Sequence, residues 1–337
     1  MTTPIAGYST LGSVAALIAQ TLYSYDCDPA PLFKTAGIEL EQSTGDGTRY
    51  PVESMQKLWR MAVEASADPC FGFVAGEQLQ PAALHGLGFS WLASDTLREA
   101  LQRLVRFSRL ISTAANIQLE DSTEGTELLL LPPAGVEDFV HASIDAGLTG
   151  FLHMCRITAG NEINPSRVTL NRNKPGCAKK IEAFFRCPVQ YDADNYSLCF
   201  SKQLLDAPLV NANHELARIN DQAVIDYLAR FDRDSITMQV RSSIIERLHD
   251  GTPNQETIAD SLHVSLRSLQ RMLNKEETNY KTLLESTRQE LALHYIRETY
   301  RSLGEITYLL GFSEPSNFTR AFKRWTGKTP AEYREQE

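Results

Sequence analysis

Apolar and polar residues follow two different periods along this chain, and the points where the period changes divide it. From residue 11 to 112 the period is helical. Leu11–Leu22 is apolar with small polar interruptions, and Pro51–Ala65 opens with a proline where a first helical turn tolerates one. Asp95 is placed to cap Thr96–Ile111, whose Leu97, Leu101, Leu104 and Ile111 share one face. The pattern then turns strand-like: Asn116–Asp121 and Thr126–Leu131, joined around Glu124-Gly125, predict a β-hairpin ended by Pro132-Pro133. A long helix over about 137–158 follows. Strands at Arg167–Asn171, Val189–Tyr191 and Tyr196–Phe200, with a helix at Ala178–Phe185 between them, complete an α+β domain whose sheet order the pattern leaves open.

Beyond Asp206-Ala207-Pro208 the period is helical to the end. Residues 211–231 form one helix of good propensity, and the charged stretch Phe231–Ser235 reads as a loop and a boundary. Short capped segments follow: Thr237–His249, Asn254–Leu262, Ser265–Asn274, Tyr280–Arg297, Leu303–Leu310, Ser316–Trp325 and Pro330–Glu335. Each is too short to be stable alone in water, so they must pack as one bundle. The expected organisation is an α+β domain over 1–210, a linker helix over 211–234 and an all-α domain over 235–337.

The all-α third contains an internal repeat. Ile258–Ser265 aligns with Ile306–Ser313 at an offset of 48, and after one inserted residue Leu269–Lys275 aligns with Phe318–Arg324. Apolar positions meet apolar positions (Ile258/Ile306, Leu262/Leu310, Leu269/Phe318, Leu273/Phe322), and Arg271 meets Arg320. Each copy is a helix, a tight turn at His263 or Gly311, and a second helix, which is the helix-turn-helix layout over about 254–275 and 303–325.

Charge sharpens this picture. The chain of 337 residues carries a net charge of −9, but basic and acidic residues cancel from Ser235 onward, so the acidity belongs to the first two-thirds. Within the neutral third, Ser265–Lys275 and Pro315–Lys328 contain no acid, and both are second helices of a repeat. A merely solvated face would mix signs. An α-helix fits the DNA major groove, where Arg, Gln, Asn and Ser can read base edges. Arg267, Gln270 and Arg271 on the first helix and Ser316, Asn317 and Arg320 on the second are the expected base contacts. Lys275, Lys323, Arg324 and Lys328 are the expected phosphate contacts. Ser316, flanking Pro315, can also serve as an N-cap. The helix between the copies, Tyr280–Arg297, spans roughly 27 Å at about 1.5 Å per residue. That approaches the roughly 34 Å between successive major-groove segments, so one chain could fill two of them.

Gly304-Glu305-Ile306, Leu310–Pro330 and Tyr333-Arg334 resemble the signature of the AraC/XylS family of bacterial transcription regulators. The resemblance runs over Ile236–Arg334 and implies a seven-helix module with two helix-turn-helix units, with the base-contacting positions falling on the six residues named above. Leu266 and Ser268 depart from the longer polar side chains common there. More weakly, His85–Phe89 with Leu92–Leu101, and Phe184–Val189 with Leu198–Ser201, are similar to the sensor domain of the subgroup that includes ornithine-utilisation regulators. This implies an α+β effector-binding, self-associating domain rather than an all-β barrel. Double-stranded DNA, an unidentified small-molecule effector, RNA polymerase and a second copy of the chain are the implied partners.

The rest of the chain offers little competing chemistry. All six cysteines (Cys27, Cys70, Cys155, Cys177, Cys187, Cys199) precede residue 200 without a CxxC pair. With no secretion signal and no membrane-length apolar run, they are expected to be reduced thiols in a soluble cytoplasmic protein. His141 and Asp145 lie four apart on one helix, with His153 beyond, and an i,i+4 bond or core packing is the expectation there rather than a metal. Arg98, Arg103, Arg106 and Arg109 read as a solvated helix face. As effector contacts we single out His85, beside Gly86 and Gly88, and Arg106, which could clamp a carboxylate. Phosphate loops and nucleophile elbows are absent from the sequence, so no catalytic residue, metal or cofactor is expected. Three readings follow: an effector-controlled regulator, expected to be an activator; a ligand-independent regulator whose first domain only mediates contacts; or a DNA alkyl-transfer repair enzyme. The last needs a zinc-bound cysteine cluster, for which Cys27 and Cys70 stand too isolated.

Overall fold

The structure, a computed structural model, describes residues 7–41, 47–131, 139–276, 278–297 and 301–334. The chain divides into two compact units, one spanning Tyr8 to Leu228 and the other holding Gly7 and the chain from Ala229 onward.

The first unit contains β1 (Ser9–Leu11), α1 (Gly12–Ser24), α2 (Ala30–Ala36), β2 (Arg49–Pro51), α3 (Val52–Ser66), α4 (Phe71–Glu77), α5 (His85–Leu92) and α6 (Leu97–Ile111). Then come β3 (Asn116–Asp121), β4 (Thr126–Leu131), α7 (His141–Ala159), β5 (Arg167–Thr169), α8 (Ala178–Phe185), β6 (Val189–Gln190), β7 (Tyr196–Phe200), α9 (Lys202–Leu205) and α10 (His214–Asp234). The hairpin predicted at 116–131 is present, with Asn116 opposite Leu131 and Asp121 opposite Thr126. Its terminating Pro132-Pro133, and positions 137 and 138 of the predicted long helix, lie outside the described residues. The main sheet runs β3-β4-β7-β5-β6, antiparallel except for the β5–β6 pair. Sequence periodicity misses the small β1–β2 sheet, because each strand is only three residues long.

A helix buried on most of its circumference, α7, forms the centre of this unit, packed by α4 and the sheet. Gly72 and Gly76, one turn apart on α4, make the approach possible. A Cβ on Gly72 would lie 2.2 Å from the Ala142 carbonyl oxygen, and one on Gly76 2.6 Å from that of Ala146. Thr96, not the predicted Asp95, caps α6: its hydroxyl accepts from the Glu99 N–H, and the Glu99 carboxylate accepts from Asp95 N–H at 2.7 Å.

Two of the four arginines of α6, Arg98 and Arg103, depart from the expected solvated face, while Arg106 keeps to it. Arg103 is buried, bonded to Asp221 of α10 (3.1 Å), Glu99 (2.9 Å) and Ser94 (2.9 Å). Arg98 ties α6 to Asp206 (2.5 Å) and Asp121 (3.1 Å). With Ala217 and Val224 buried and Gly86 pressed against the Asn220 carbonyl, the first part of α10 is an integral wall of this unit. The stretch 231–234, expected to be a loop, is the last turn of α10 instead. Apolar helix-forming neighbours outweigh its charge. Two cysteines also depart from the expected reduced state: Cys70 and Cys177, at the N-termini of α4 and α8, form a disulfide with Cα atoms 6.2 Å apart. Their separation of 107 residues leaves no local spacing to reveal the pair.

Among the described residues of the second unit, seven α-helices follow: α11 (Ile236–Arg247), α12 (Gln255–Ser261), α13 (Leu266–Lys275), α14 (Tyr280–Arg297), α15 (Leu303–Leu309), α16 (Pro315–Thr326) and α17 (Pro330–Arg334). Ser235, Asn254, Ser265 and Ser302 each cap a helix through a side-chain oxygen, and Ser302 with Glu305 forms a full capping box. Such a cap is worth about 0.5–2 kcal/mol. Two small cores result. Ile236, Val240, Ile258, Leu269, Leu273 and Leu283 fill the first, and Ala292, Ile296, Ile306, Leu310, Phe318 and Phe322 the second. Helix α14 contributes to both, which is how two half-modules become one body.

Candidate functional site

Each repeat builds its own presentation platform. In the first, the Val264 N–H donates to the Ala259 carbonyl (3.0 Å) and the His263 N–H to that of Asp260 (3.0 Å). In the second, the Phe312 N–H donates to Thr307 (3.0 Å) and the Gly311 N–H to Tyr308 (2.9 Å), the same bonds shifted by 48 positions. His263 and Gly311 both adopt left-handed φ, 55° and 67°. The turn therefore requires that conformation in both copies, and glycine meets it without the Cβ clash that histidine bears.

The second helices present what the sequence suggests. On α13, Leu269 and Leu273 are buried while Arg267, Gln270, Arg271 and Lys275 are exposed. On α16, Phe318 and Phe322 are buried, Ser316, Arg320, Lys323 and Arg324 are exposed, and Asn317 is half-buried; Lys328 is exposed just beyond the helix. Arg320 donates to the Asn317 side-chain oxygen (2.6 Å), which holds the guanidinium along the outer face. Gln270 donates to Gln255 on α12 (3.4 Å). Arg324 is paired with Glu285 of α14, which also accepts from the Trp325 indole (3.3 Å). Glu314, not Ser316, is the N-cap of α16, with Pro315 at the first helical position. Ser316 donates instead to the Glu314 carboxylate (3.3 Å).

A model of the N-terminal arabinose-binding domain of AraC transcription regulators matches residues 27–209, and a helix-turn-helix domain model matches residues 258–336. The chain belongs to the AraC family. The ornithine utilization regulator of Pseudomonas aeruginosa is 28% identical over 95% of each chain. The transcriptional activator NphR of a Rhodococcus species is 31% identical over 29% of each chain. Among solved structures, the transcriptional regulator CdpR of P. aeruginosa aligns at a TM-score of 0.43 with 21% identity, covering 94% of this chain and 98% of that one. This AraC-family chain is thus a DNA-binding transcriptional regulator with an α+β N-terminal domain and an all-α, two-motif C-terminal domain. No helix among its described residues is long and apolar enough to cross a membrane.

In the N-terminal domain the two expected effector contacts are placed differently. His85 starts α5 with a left-handed φ of 52° and is half-buried. Arg106 is exposed, its guanidinium 4.8 Å over the Phe107 ring. The histidine and aspartate of α7 do not bond to each other. His141 Nδ1 meets the Tyr196 hydroxyl, and Asp145, fully buried, is paired with Arg172 from the segment after β5. Burial pushes the Asp145 carboxyl up to about 7, against the pull of Arg172. Burial also lowers the His141 imidazole, and Arg172 adds to this. Sequence reading misses the Asp145–Arg172 pair because its partners lie 27 residues apart on different elements. An acidic residue in the middle of an otherwise apolar helix is the available signal. Among the described residues, two groups carry metal-capable atoms within reach of one another, Asp68–Cys70–Cys177 and Asp95–Glu99–His214. In the first group the disulfide takes both sulfurs and Tyr25 lies 2.9 Å from Asp68, and in the second the Glu99 carboxylate is paired with Arg103 (2.9 Å), so neither group offers three uncommitted ligands.

Proposed function

We propose that α13 and α16 read the edges of double-stranded DNA in two successive major-groove segments, and that a small molecule held by the N-terminal unit controls the outcome. The observation that carries the first half is the duplicated platform: two turns bonded alike, each exposing a basic helix, joined through one shared α14. Arg267, Gln270 and Arg271 and, on the second helix, Ser316, Asn317 and Arg320 contact bases. Lys275, Lys323 and Lys328 contact phosphates. Arg324 joins them by exchanging Glu285 for a phosphate, a swap that an exposed ion pair permits at little cost.

The sensor half rests on the match of residues 27–209 to a family of sugar-named sensor domains and on a relative named for ornithine utilization. Activation is the proposed direction, in line with the relative named as a transcriptional activator. Self-association and contact with RNA polymerase, in the cytoplasm, complete the reading. Ligand control requires that the effector bind two states of the protein with different affinity.

The test is footprinting of the full-length protein on the promoter beside its own gene, with and without a metabolite library of amino acids, amines, sugars and organic acids. Two protected major-groove segments per subunit, with protection altered by at least one metabolite, are expected. Protection of a single segment overturns the duplicated-reader proposal. Protection that no metabolite changes overturns the effector, and leaves the N-terminal unit as a contact domain.

A further inference from the structure

We propose that the effector of this protein is a free amino acid, its ammonium held by Asp145 and its carboxylate by Arg172. This rests on the reading of the N-terminal unit as a small-molecule sensor and assigns that sensor a site and a ligand class.

The geometry begins with an ion pair left half-used. Asp145 is completely buried on α7; one carboxylate oxygen, Oδ2, takes Arg172. The other, Oδ1, is buried and has no hydrogen-bond partner. A carboxylate oxygen can only accept, and leaving one bare in the interior is among the more unfavourable arrangements a fold can hold. One turn further along the same face of α7, the hydroxyl of the fully buried Thr149 is unpartnered as well. Arg172 has its side chain only 12% exposed, yet it spends a single Nη1 on Asp145, and its other N–H groups have no partner among the described residues. Tyr196, itself buried, closes one side, with its hydroxyl fixed by the Asn171 carbonyl (2.8 Å) and by His141, a residue at the start of α7 that is exposed as a whole.

The donor and acceptor set selects the ligand. Oδ1 of Asp145 calls for a donor and the free N–H groups of Arg172 call for an acceptor, and the two are adjacent because they belong to one ion pair. A simple amine would satisfy Asp145 but leave a net positive charge in a buried place. A simple carboxylate would compete with Asp145 for Arg172 and leave the site negative. A zwitterion with ammonium and carboxylate on one carbon supplies one of each and adds no net charge, so the desolvation of both ends is met by opposite partners. Thr149 can then accept from the same ammonium.

The experiment uses the full-length protein and the twenty standard amino acids and ornithine, each added singly and followed by thermal shift and isothermal titration. For any amino acid that binds, its decarboxylated amine and its deaminated acid are titrated too. We expect saturable binding of at least one amino acid, at least tenfold weaker binding of both truncated counterparts, and at least tenfold weaker binding to Asp145→Asn. Arg172→Lys keeps the charge but not the fork, and is expected to weaken binding by a similar factor; it serves if Asp145→Asn does not fold, as judged by circular dichroism. No amino acid binding, or equal affinity in folded variants of both kinds, overturns the proposal. A sugar or organic acid that binds equally well to Asp145→Asn would overturn this site while leaving the sensor reading intact. No binding by any metabolite of the wider library would overturn both.

Discussion

Arg288 on α14 donates to the backbone carbonyl of Gly311 (2.9 Å), so the connecting helix of the DNA-binding unit grips the turn of the second helix-turn-helix directly. The same guanidinium donates to the Leu310 carbonyl (2.8 Å), reaches the Thr252 hydroxyl ahead of the first motif and lies 4.3 Å over the Phe312 ring. Thr252 in turn donates to the Gly311 carbonyl (2.8 Å). Gly311 must be glycine here for a second reason besides its φ: a Cβ would sit 2.9 Å from the Leu248 carbonyl oxygen. The spacing of the two recognition helices is therefore fixed by polar bonds to main-chain atoms as well as by the shared core.

Removing that grip should loosen the spacing. Arg288→Ala leaves the Leu310 carbonyl without its donor and the Gly311 carbonyl with Thr252 alone, at a cost of about 1–3 kcal/mol to the stability of the unit. We expect a lower Tm and, on DNA whose two half-sites are moved apart by one base pair, a smaller penalty than the wild type suffers. Unchanged Tm together with an unchanged spacing preference would show that the apolar core alone sets the geometry.

Arg320 and Lys323 lie three apart on α16 and should behave differently. Arg320, bonded to Asn317 on the exposed face, is the proposed base reader. Arg320→Ala is expected to weaken specific binding by about 1–3 kcal/mol and to relax base preference in one half of the site. Lys323→Ala is expected to lower affinity for every sequence and to flatten the dependence on salt, because a protein that neutralises one phosphate fewer displaces about one counterion fewer on binding. Gel-shift titrations on matched and mismatched duplexes at several salt concentrations separate the two. Equal weakening on random DNA for Arg320→Ala would make it a phosphate-binding residue.

What is legible in the sequence and what is not divide along a physical line. The hairpin at 116–131, strand 196–200 and helix 178–185 are readable to the residue, because each has its own period and its own punctuation. The duplicated motif is readable because apolar residues at fixed offsets must meet in each copy, and the structure buries Ile258 with Ile306 and Leu273 with Phe322 at equivalent places. Long-range pairs are hidden. Arg103 with Asp221, Arg172 with Asp145, and Cys70 with Cys177 join segments whose neighbourhood only the folded sheet and helices create. Taken locally, their side chains read as facing solvent, as local helix bonds or as free thiols. Arg288 belongs with them: on a helix of mixed composition nothing local distinguishes a cation that grips a distant turn from one that faces water.

The Cys70–Cys177 link is open to a direct count. With it formed, thiol titration of the denatured, unreduced protein should find the four remaining cysteines, Cys27, Cys155, Cys187 and Cys199, rather than all six. It closes a loop of about a hundred residues, for which removal of the cross-link typically costs about 2–5 kcal/mol. Reduction, or Cys70→Ser with Cys177→Ser, is therefore expected to lower the Tm of the N-terminal unit and to leave the DNA-binding unit unaffected. Six titratable thiols in protein purified without reductant would return these residues to the reduced state that their lack of local pairing suggests.

The buried carboxyl of Asp145 makes a prediction about pH that depends on no ligand. Desolvation on folding raises it from the ordinary 3.8 to about 7, with Arg172 resisting the rise. Between these values the folded protein holds a proton that the unfolded chain has released, so acid favours the folded state there. The contribution is complete below about pH 4 and is lost progressively as the pH rises to about 7. Asparagine at this position has the same shape and does not titrate. The difference in Tm between the wild type and Asp145→Asn should therefore move against the wild type from about pH 4 to about pH 7 and level off above that. Taking the difference also cancels the opposite trend of His141, whose depressed pKa favours folding as the pH rises through its range. A difference that stays flat across the window would mean that Arg172 keeps Asp145 ionised throughout. The half-used ion pair would then enter any binding reaction already charged.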